Sequence, residues 1–260
     1  MRLKSPKFLL PIMVLGLLLS ASSTAYADAF SLTSFSFSNL QFTASAGTAQ
    51  FTVTGATARA DAGFDGGTNI INTSNSFPIA QANAAVNGVT AAATANAATR
   101  SVSADSTASL TDCSCAAGSA GQASLTGTLV LSGAEGPVTV DISALRSFLW
   151  QVQTDAFGQY AESGLFMDVF VNGTPVFSLQ VEALHPLLGP NLSSTFSASD
   201  QISRSITLQG GSTNSIVVRL TATSLVINNE VPEPATIVML VSGLGFMTGV
   251  LKKRRRRIDG

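Results

Sequence analysis

Lysine is missing from the whole stretch between Lys7 and Lys252, and histidine occurs once in 260 residues, as His185. The first absence argues against nucleic acid or another polyanion as a partner, because phosphate binding is driven by clustered Lys and Arg. Between residues 28 and 234 there are five arginines (Arg59, Arg100, Arg146, Arg204, Arg219) against fourteen carboxylates, a net charge of about −9. The second absence means that any Ser–His–Asp or Cys–His machinery must pass through His185. That residue stands before Pro186 in a Leu-rich, loop-like stretch, Ala183–Leu188, and no Gly-x-Ser-x-Gly elbow surrounds a serine in the body. A structural or surface histidine is the expectation.

Cysteine is nearly absent as well. Cys113-Ser114-Cys115 holds the only pair. In an oxidising compartment a local disulfide is the first reading, although one intervening residue makes a small ring. Free thiols come second, and a metal site, which needs more ligands than two, third. Either sulfur is also free to join another chain. The single tryptophan, Trp150, and Tyr160 are candidates for stacking on a sugar ring, with a core Trp in the strand Ser147–Thr154 as the default. Asp155, Glu162, Asp168 and Glu182 are scattered carboxylates, the raw material of a glycosidase pair but at a density usual for solvated faces. Asp61-Ala62-Gly63-Phe64-Asp65-Gly66-Gly67 has oxygen ligands for a hard cation but lacks the alternating carboxylates and terminal Glu of an EF-hand loop, so a glycine-rich turn is expected. No catalytic residue, metal or cofactor is assigned.

Charged residues are few, Ser, Thr, Ala, Gly and Val dominate, and no long stretch spaces its apolar positions helically. The fold class expected is all-β, a sandwich or jelly-roll-like body. Residues 28–121 form an Ala/Ser/Thr-rich region, β or partly disordered. Phe35-Ser36-Phe37-Ser38 and Gln50–Thr54 alternate with period two there. Ala80–Ala98 is read as small-residue strands and loops rather than helix. Residues 122–230 form a β-sandwich region, expected to make one domain with the preceding part. Its strands are Ser124–Leu131, Val138–Ile142, Ser147–Thr154, Leu165–Val171, Pro175–Ala183, Ile202–Leu208 and Ile216–Ile227. Asn172-Gly173 suits a tight hairpin turn, and Pro175 belongs at a turn or strand edge.

The two ends carry addresses. Arg2, Lys4 and Lys7 precede an apolar run, Phe8–Leu19, and Ala25-Tyr26-Ala27 fits an A-x-A cleavage site with Asp28 as the first mature residue. Residues 1–27 are therefore read as a signal peptide, handled by the general secretion machinery and signal peptidase. At the other end, Ala235–Leu251 is 17 uncharged residues, long enough at the lower limit to span a bilayer as a helix. Lys252, Lys253, Arg254, Arg255, Arg256 and Arg257 form a basic stop that stays cytoplasmic, leaving the body outside. Pro232 and Pro234 hold Glu233 on a stiff, extended segment at the outer boundary. Gly245 and Gly249 match a helix-dimerisation spacing, to which no function is attached.

Pro232-Glu233-Pro234, a span and a C-terminal arginine cluster, in that order over residues 231–257, resemble the PEP-CTERM sorting signal of envelope proteins in exopolysaccharide-producing Gram-negative bacteria. The resemblance implies recognition by exosortase, a membrane-embedded cysteine transpeptidase, with removal of the tail at or near the motif. It covers about a tenth of the chain and says nothing of the body. Together these readings predict a secreted, non-enzymatic envelope or extracellular-matrix protein, transiently in the inner membrane and then at the cell surface or in the exopolysaccharide layer. The rivals are a carbohydrate-binding sandwich, a secreted polysaccharide hydrolase and a permanently anchored protein.

Overall fold

The computed structural model describes residues 29–65, 67, 69–110, 115–155, 158–185 and 191–228. Ala25, Ala27, Asp28, Cys113, the Pro232-Glu233-Pro234 motif, the span and the basic run Lys252–Arg257 lie outside the described residues. The body is all-β, and no helix occurs among the described residues. Twelve strands follow in order: β1 (Ala29–Ala44), β2 (Thr48–Phe64), β3 (Ile70–Ser74), β4 (Ile79–Val86), β5 (Val89–Asn96), β6 (Ser101–Leu110), β7 (Cys115–Ser132), β8 (Pro137–Thr154), β9 (Gln159–Val171), β10 (Thr174–His185), β11 (Leu192–Gln209) and β12 (Thr213–Asn228). They form two antiparallel six-stranded sheets, ordered β11-β8-β1-β6-β5-β4 and β10-β9-β12-β7-β2-β3.

The sheets pack face to face. β1 lies across from β12 and β9, β6 across from β7 and β12, and β5 across from β2 and β7. Each sheet joins a block of strands from the N-terminal half (β1–β6) to a block from the C-terminal half (β7–β12), so the two halves share one hydrophobic core. Two edges lie side by side at each end of the sandwich: β3 with β4, and β10 with β11.

Local chemistry accounts for the turns. Asn172-Gly173 closes the β9–β10 hairpin with both residues at positive φ (51° and 79°), the geometry of a two-residue type I′ turn. Asn87-Gly88 does the same between β4 and β5 (44° and 80°), splitting the alanine-rich stretch into two strands. Pro175 sits in β10, an edge strand, beside a register shift between Pro175 and Phe177. There its missing N–H costs no interior ladder bond.

Side-chain size is sorted along the strands. Toward one end the inner faces carry Phe37, Leu40, Leu129, Val140, Met167 and Ile216, all buried. Toward the other they carry alanine (Ala60, Ala62, Ala104, Ala108, Ala117, Ala123) and hydroxyl residues. At the small end hydroxyls bridge the sheets. Ser31 Oγ of β1 donates to the Glu162 carbonyl of β9 at 2.5 Å and lies 2.9 Å from Ser163 Oγ. Thr33 Oγ1 donates to the Thr223 carbonyl of β12 at 2.8 Å. Ser106 Oγ of β6 lies 2.7 Å from Ser119 Oγ of β7, which donates to the Thr107 carbonyl at 3.0 Å. Ser224 Oγ of β12 donates to the Ser106 carbonyl at 3.1 Å. Burying a hydroxyl without a partner is unfavourable, and each of these is matched by a carbonyl or hydroxyl of the facing sheet.

Gly121 marks the closest approach. A Cβ at this inner position of β7 would stand 2.4 Å from the Ala92 carbonyl oxygen and 2.7 Å from that of Asp105, both backbone atoms of the opposite sheet. Gly121→Ala is therefore expected to destabilise the body by about 1–3 kcal/mol, as overpacking does. Gly118→Ala, three residues away on the outer face of β7, meets only ordinary contacts at 3.6 Å and is expected to change stability by less than about 0.5 kcal/mol in the unfavourable direction. Denaturant unfolding of the two variants checks the contrast. Equal midpoints would show that the sheets are not in backbone contact.

Candidate functional site

The β10–β11 end of the sandwich is more open than its centre, because the inner face of β11 is only partly covered. Even-numbered residues of β8 point inward, and β11 pairs with β8 in an unbroken register that sets Phe196 beside Trp150, Ala198 beside Phe148, Asp200 beside Arg146 and Ile202 beside Ala144. The result is a row of chemistry along an open wall. Trp150 and Phe196 stack with ring centroids 6.0 Å apart at 29°, and Phe148 lies 5.6 Å from Phe196. Phe35 meets Phe148 edge-on at 6.1 Å, anchoring the row to the core. Phe196 is 49% exposed, a large ring left facing water. Trp150 Nε1 is buried with no hydrogen-bond partner among the described residues.

Next to the rings stands an ion pair. Arg146 grips Asp200 with two hydrogen bonds, Nε to Oδ1 and Nη2 to Oδ2, the second at 2.7 Å. The guanidinium also lies 5.5 Å from the Phe148 ring centroid, within cation–π reach. The hydrogen bond from Arg146 holds the Asp200 carboxyl below its ordinary value, and the same bond raises the Arg146 guanidinium. Arg146 occupies an inner position only because the wall opens there and a fork-shaped partner is at hand. Below it, Phe37, Met167, Val169, Phe177, Ile202 and Arg204 help enclose a cavity of about 10 Å³, room for one water at most. The rim at Pro175, Phe177 and Arg204 widens to an open depression of about 410 Å³.

Other residues singled out from the sequence are distributed apart. Tyr160 is on the outer face of β9, its hydroxyl donating to Glu162 Oε2 at 2.5 Å, so it shares no site with Trp150 on the inner face of β8. Glu162 and Asp168 lie on one face of β9 six residues apart, about 20 Å along a strand. That is well beyond the carboxylate spacing of glycoside hydrolysis. Asp168 accepts from Ser178 Oγ at 2.7 Å, and Asp155 accepts from Gln153 Nε2 at 2.9 Å. Glu182 and His185 are placed by backbone register only, opposite Gly164 and Ala161.

Asp61 belongs to β2 and not to a cation-wrapping loop. Its carboxylate accepts from Arg59 Nε at 2.9 Å, and the turn begins at Asp65. No group of three or more His, Cys, Asp or Glu side chains gathers among the described residues. Cys115 opens β7 with its sulfur in a disulfide; Cys113, the chain's only other cysteine, lies outside the described residues.

β11 starts ten residues before the expected strand Ile202–Leu208 and so brings in Phe196 and Asp200, which are not among the residues singled out from the sequence. The signal was present as period-two spacing of Phe196, Ala198, Ile202, Ile206 and Leu208 among serines. Comparison with known proteins adds no further identification: no family model and no curated protein matches the chain.

Proposed function

We propose that this chain is an exported, non-enzymatic protein of the cell envelope or extracellular matrix, with a structural or adhesive role in the exopolysaccharide layer. In this reading a signal peptide (1–27) and a single C-terminal transmembrane helix (235–251) flank the sandwich. The general secretion machinery exports the chain, signal peptidase trims it before Asp28, and the helix holds it in the inner membrane. Exosortase then acts at Pro232-Glu233-Pro234 and releases the body.

The observation that carries this reading is the order of three elements at the C-terminus: Pro-Glu-Pro, an uncharged span and six basic residues. The body's surface is consistent with contact to hydrated polymer. Its outer faces are lined by Ser and Thr hydroxyls already paired across strands, as in Thr57–Ser124 at 2.6 Å and Thr48–Ser132 at 2.8 Å. The expected mature species starts at Asp28 and ends near residue 234. Replacing Pro232, Glu233 and Pro234 by alanine abolishes that truncation, as read by intact mass and C-terminal peptide from the native host. A chain reaching Gly260 in both strains would make the protein a permanent membrane resident.

A second reading, that the body binds carbohydrate, is favoured by one feature, the exposed Phe196 ring stacked on Trp150. A ring of this kind offers an apolar face beside polar groups, here Asp200 and Arg146. Phe196→Ala is expected to weaken polysaccharide retention at least tenfold, about 1.4 kcal/mol, without loss of the β circular dichroism spectrum. Retention unchanged in the variant, or absent for every polysaccharide tried, would remove this reading and leave the sorting proposal intact.

A further inference from the structure

We propose that β11 pairs antiparallel with β11 of a second copy of this chain, joining two six-stranded sheets across a two-fold axis. The starting point is an edge without protection. β11 is 18 residues long and, among the described residues, ends its sheet, with β8 on one side only. Its register with β8 runs unbroken from Leu192 opposite Thr154 to Gln209 opposite Pro137. The free side presents a long row of backbone N–H and C=O groups, the usual template for strand addition. The other three edges are blunted. β10 carries Pro175 and a register shift, β3 has five residues and β4 eight. β11 has no proline and no bulge.

The side chains then select the occupant and the register. Inward along β11 stand Phe196, Ala198, Asp200, Ile202, Arg204, Ile206 and Leu208. When Ile202 is set against Ile202 of an antiparallel copy, Asp200 faces Arg204, Ala198 faces Ile206 and Phe196 faces Leu208. On the outer face Ser199 meets Ser205, Ser197 meets Thr207 and Gln201 meets Ser203. A shift of two residues in either direction sets a charge against an apolar residue, and a shift of one puts the inner row on the wrong face. One register thus matches charge with charge, apolar with apolar and hydroxyl with hydroxyl or amide. The contact is isologous, the same strand on both sides, and closes as a dimer.

The unpaired groups fit this occupant. Arg204 makes no ion pair among the described residues, and in the dimer it reaches an Asp200 carboxylate that is 47% exposed in the single chain. The exposed Phe196 ring gains an apolar neighbour in Leu208.

The test is site-directed disulfide cross-linking of the full chain in detergent. In the proposed register two position-202 Cα atoms lie about 4.5–5.5 Å apart, within disulfide reach. Two position-194 residues lie about 50 Å apart. Ile202→Cys is expected to give a covalent dimer on mild oxidation and Ser194→Cys to give none. Arg204→Glu, which turns the charge match into repulsion, is expected to raise the dimer dissociation constant at least tenfold by light scattering. Equal cross-linking at both positions, or none at position 202, overturns the proposal. So does a dimer untouched by Arg204→Glu, the result expected if copies met through the C-terminal span. A monomer with slowly exchanging β11 amides would mean that the edge is covered by the chain itself, and overturns it too.

Discussion

Ser106 Oγ and Ser119 Oγ stand 2.7 Å apart across the space between the sheets, and each hydroxyl also reaches a backbone carbonyl on the other side. A contact this short between two sheets requires that both be stripped of bulk around it. The neighbouring inner positions are Ala104, Ala108, Ala117, Gly121 and Ala123, all with small side chains or none. Sheets kept apart by larger side chains pack about 10 Å from each other, and no serine could span that gap. The hydroxyl bridges and the alanines are therefore one device: small residues bring the backbones together, and the hydroxyls satisfy the carbonyls that the approach buries. At the opposite end the phenylalanines and leucines fill an ordinary hydrophobic core.

The same device explains why part of the fold was legible in the sequence and part was not. Alternation of Phe with Ser announced β1, and Asn172-Gly173 announced its hairpin. β7 was foreseen only from Ser124 because in Ala117–Ala123 the inner row (Ala117, Ser119, Gly121, Ala123) and the outer row (Gly118, Ala120, Gln122) scarcely differ in hydrophobicity. Binary pattern fails when the core itself is made of alanine and serine. β8 appeared as two strands, Val138–Ile142 and Ser147–Thr154, because Arg146 sits at an inner position and breaks the apolar run. The pairing with Asp200 that permits it joins residues 54 apart in sequence. The alanine-rich first half, expected to be β or partly disordered, contributes β1 to β6, because facing strands give its small residues something to pack against.

The candidate site follows from where the device stops. At the β10–β11 end the inner face of β11 is only partly covered, and it holds an aromatic row, an ion pair and Arg204, which has no ion-pair partner among the described residues. Trp150 was placed correctly on its strand, but its neighbour Phe196 was not foreseen, since one aromatic ring among serines carries little weight without the register. The sorting addresses proposed for the two termini are independent of the body's geometry and rest on sequence chemistry alone.

Amide hydrogen exchange of the β-sandwich body, resolved by residue, tests the close-packed seam most directly. The account predicts that amides of β6 and β7 around Ser106, Ser119 and Gly121 are among the last to exchange, opening only with global unfolding. Protection there should match that of the leucine-rich end around Leu129 and Leu220. Exchange in that seam at rates near those of the turns would contradict the account, showing that the small-residue half is held loosely and that the hydroxyl bridges do not lock the sheets together.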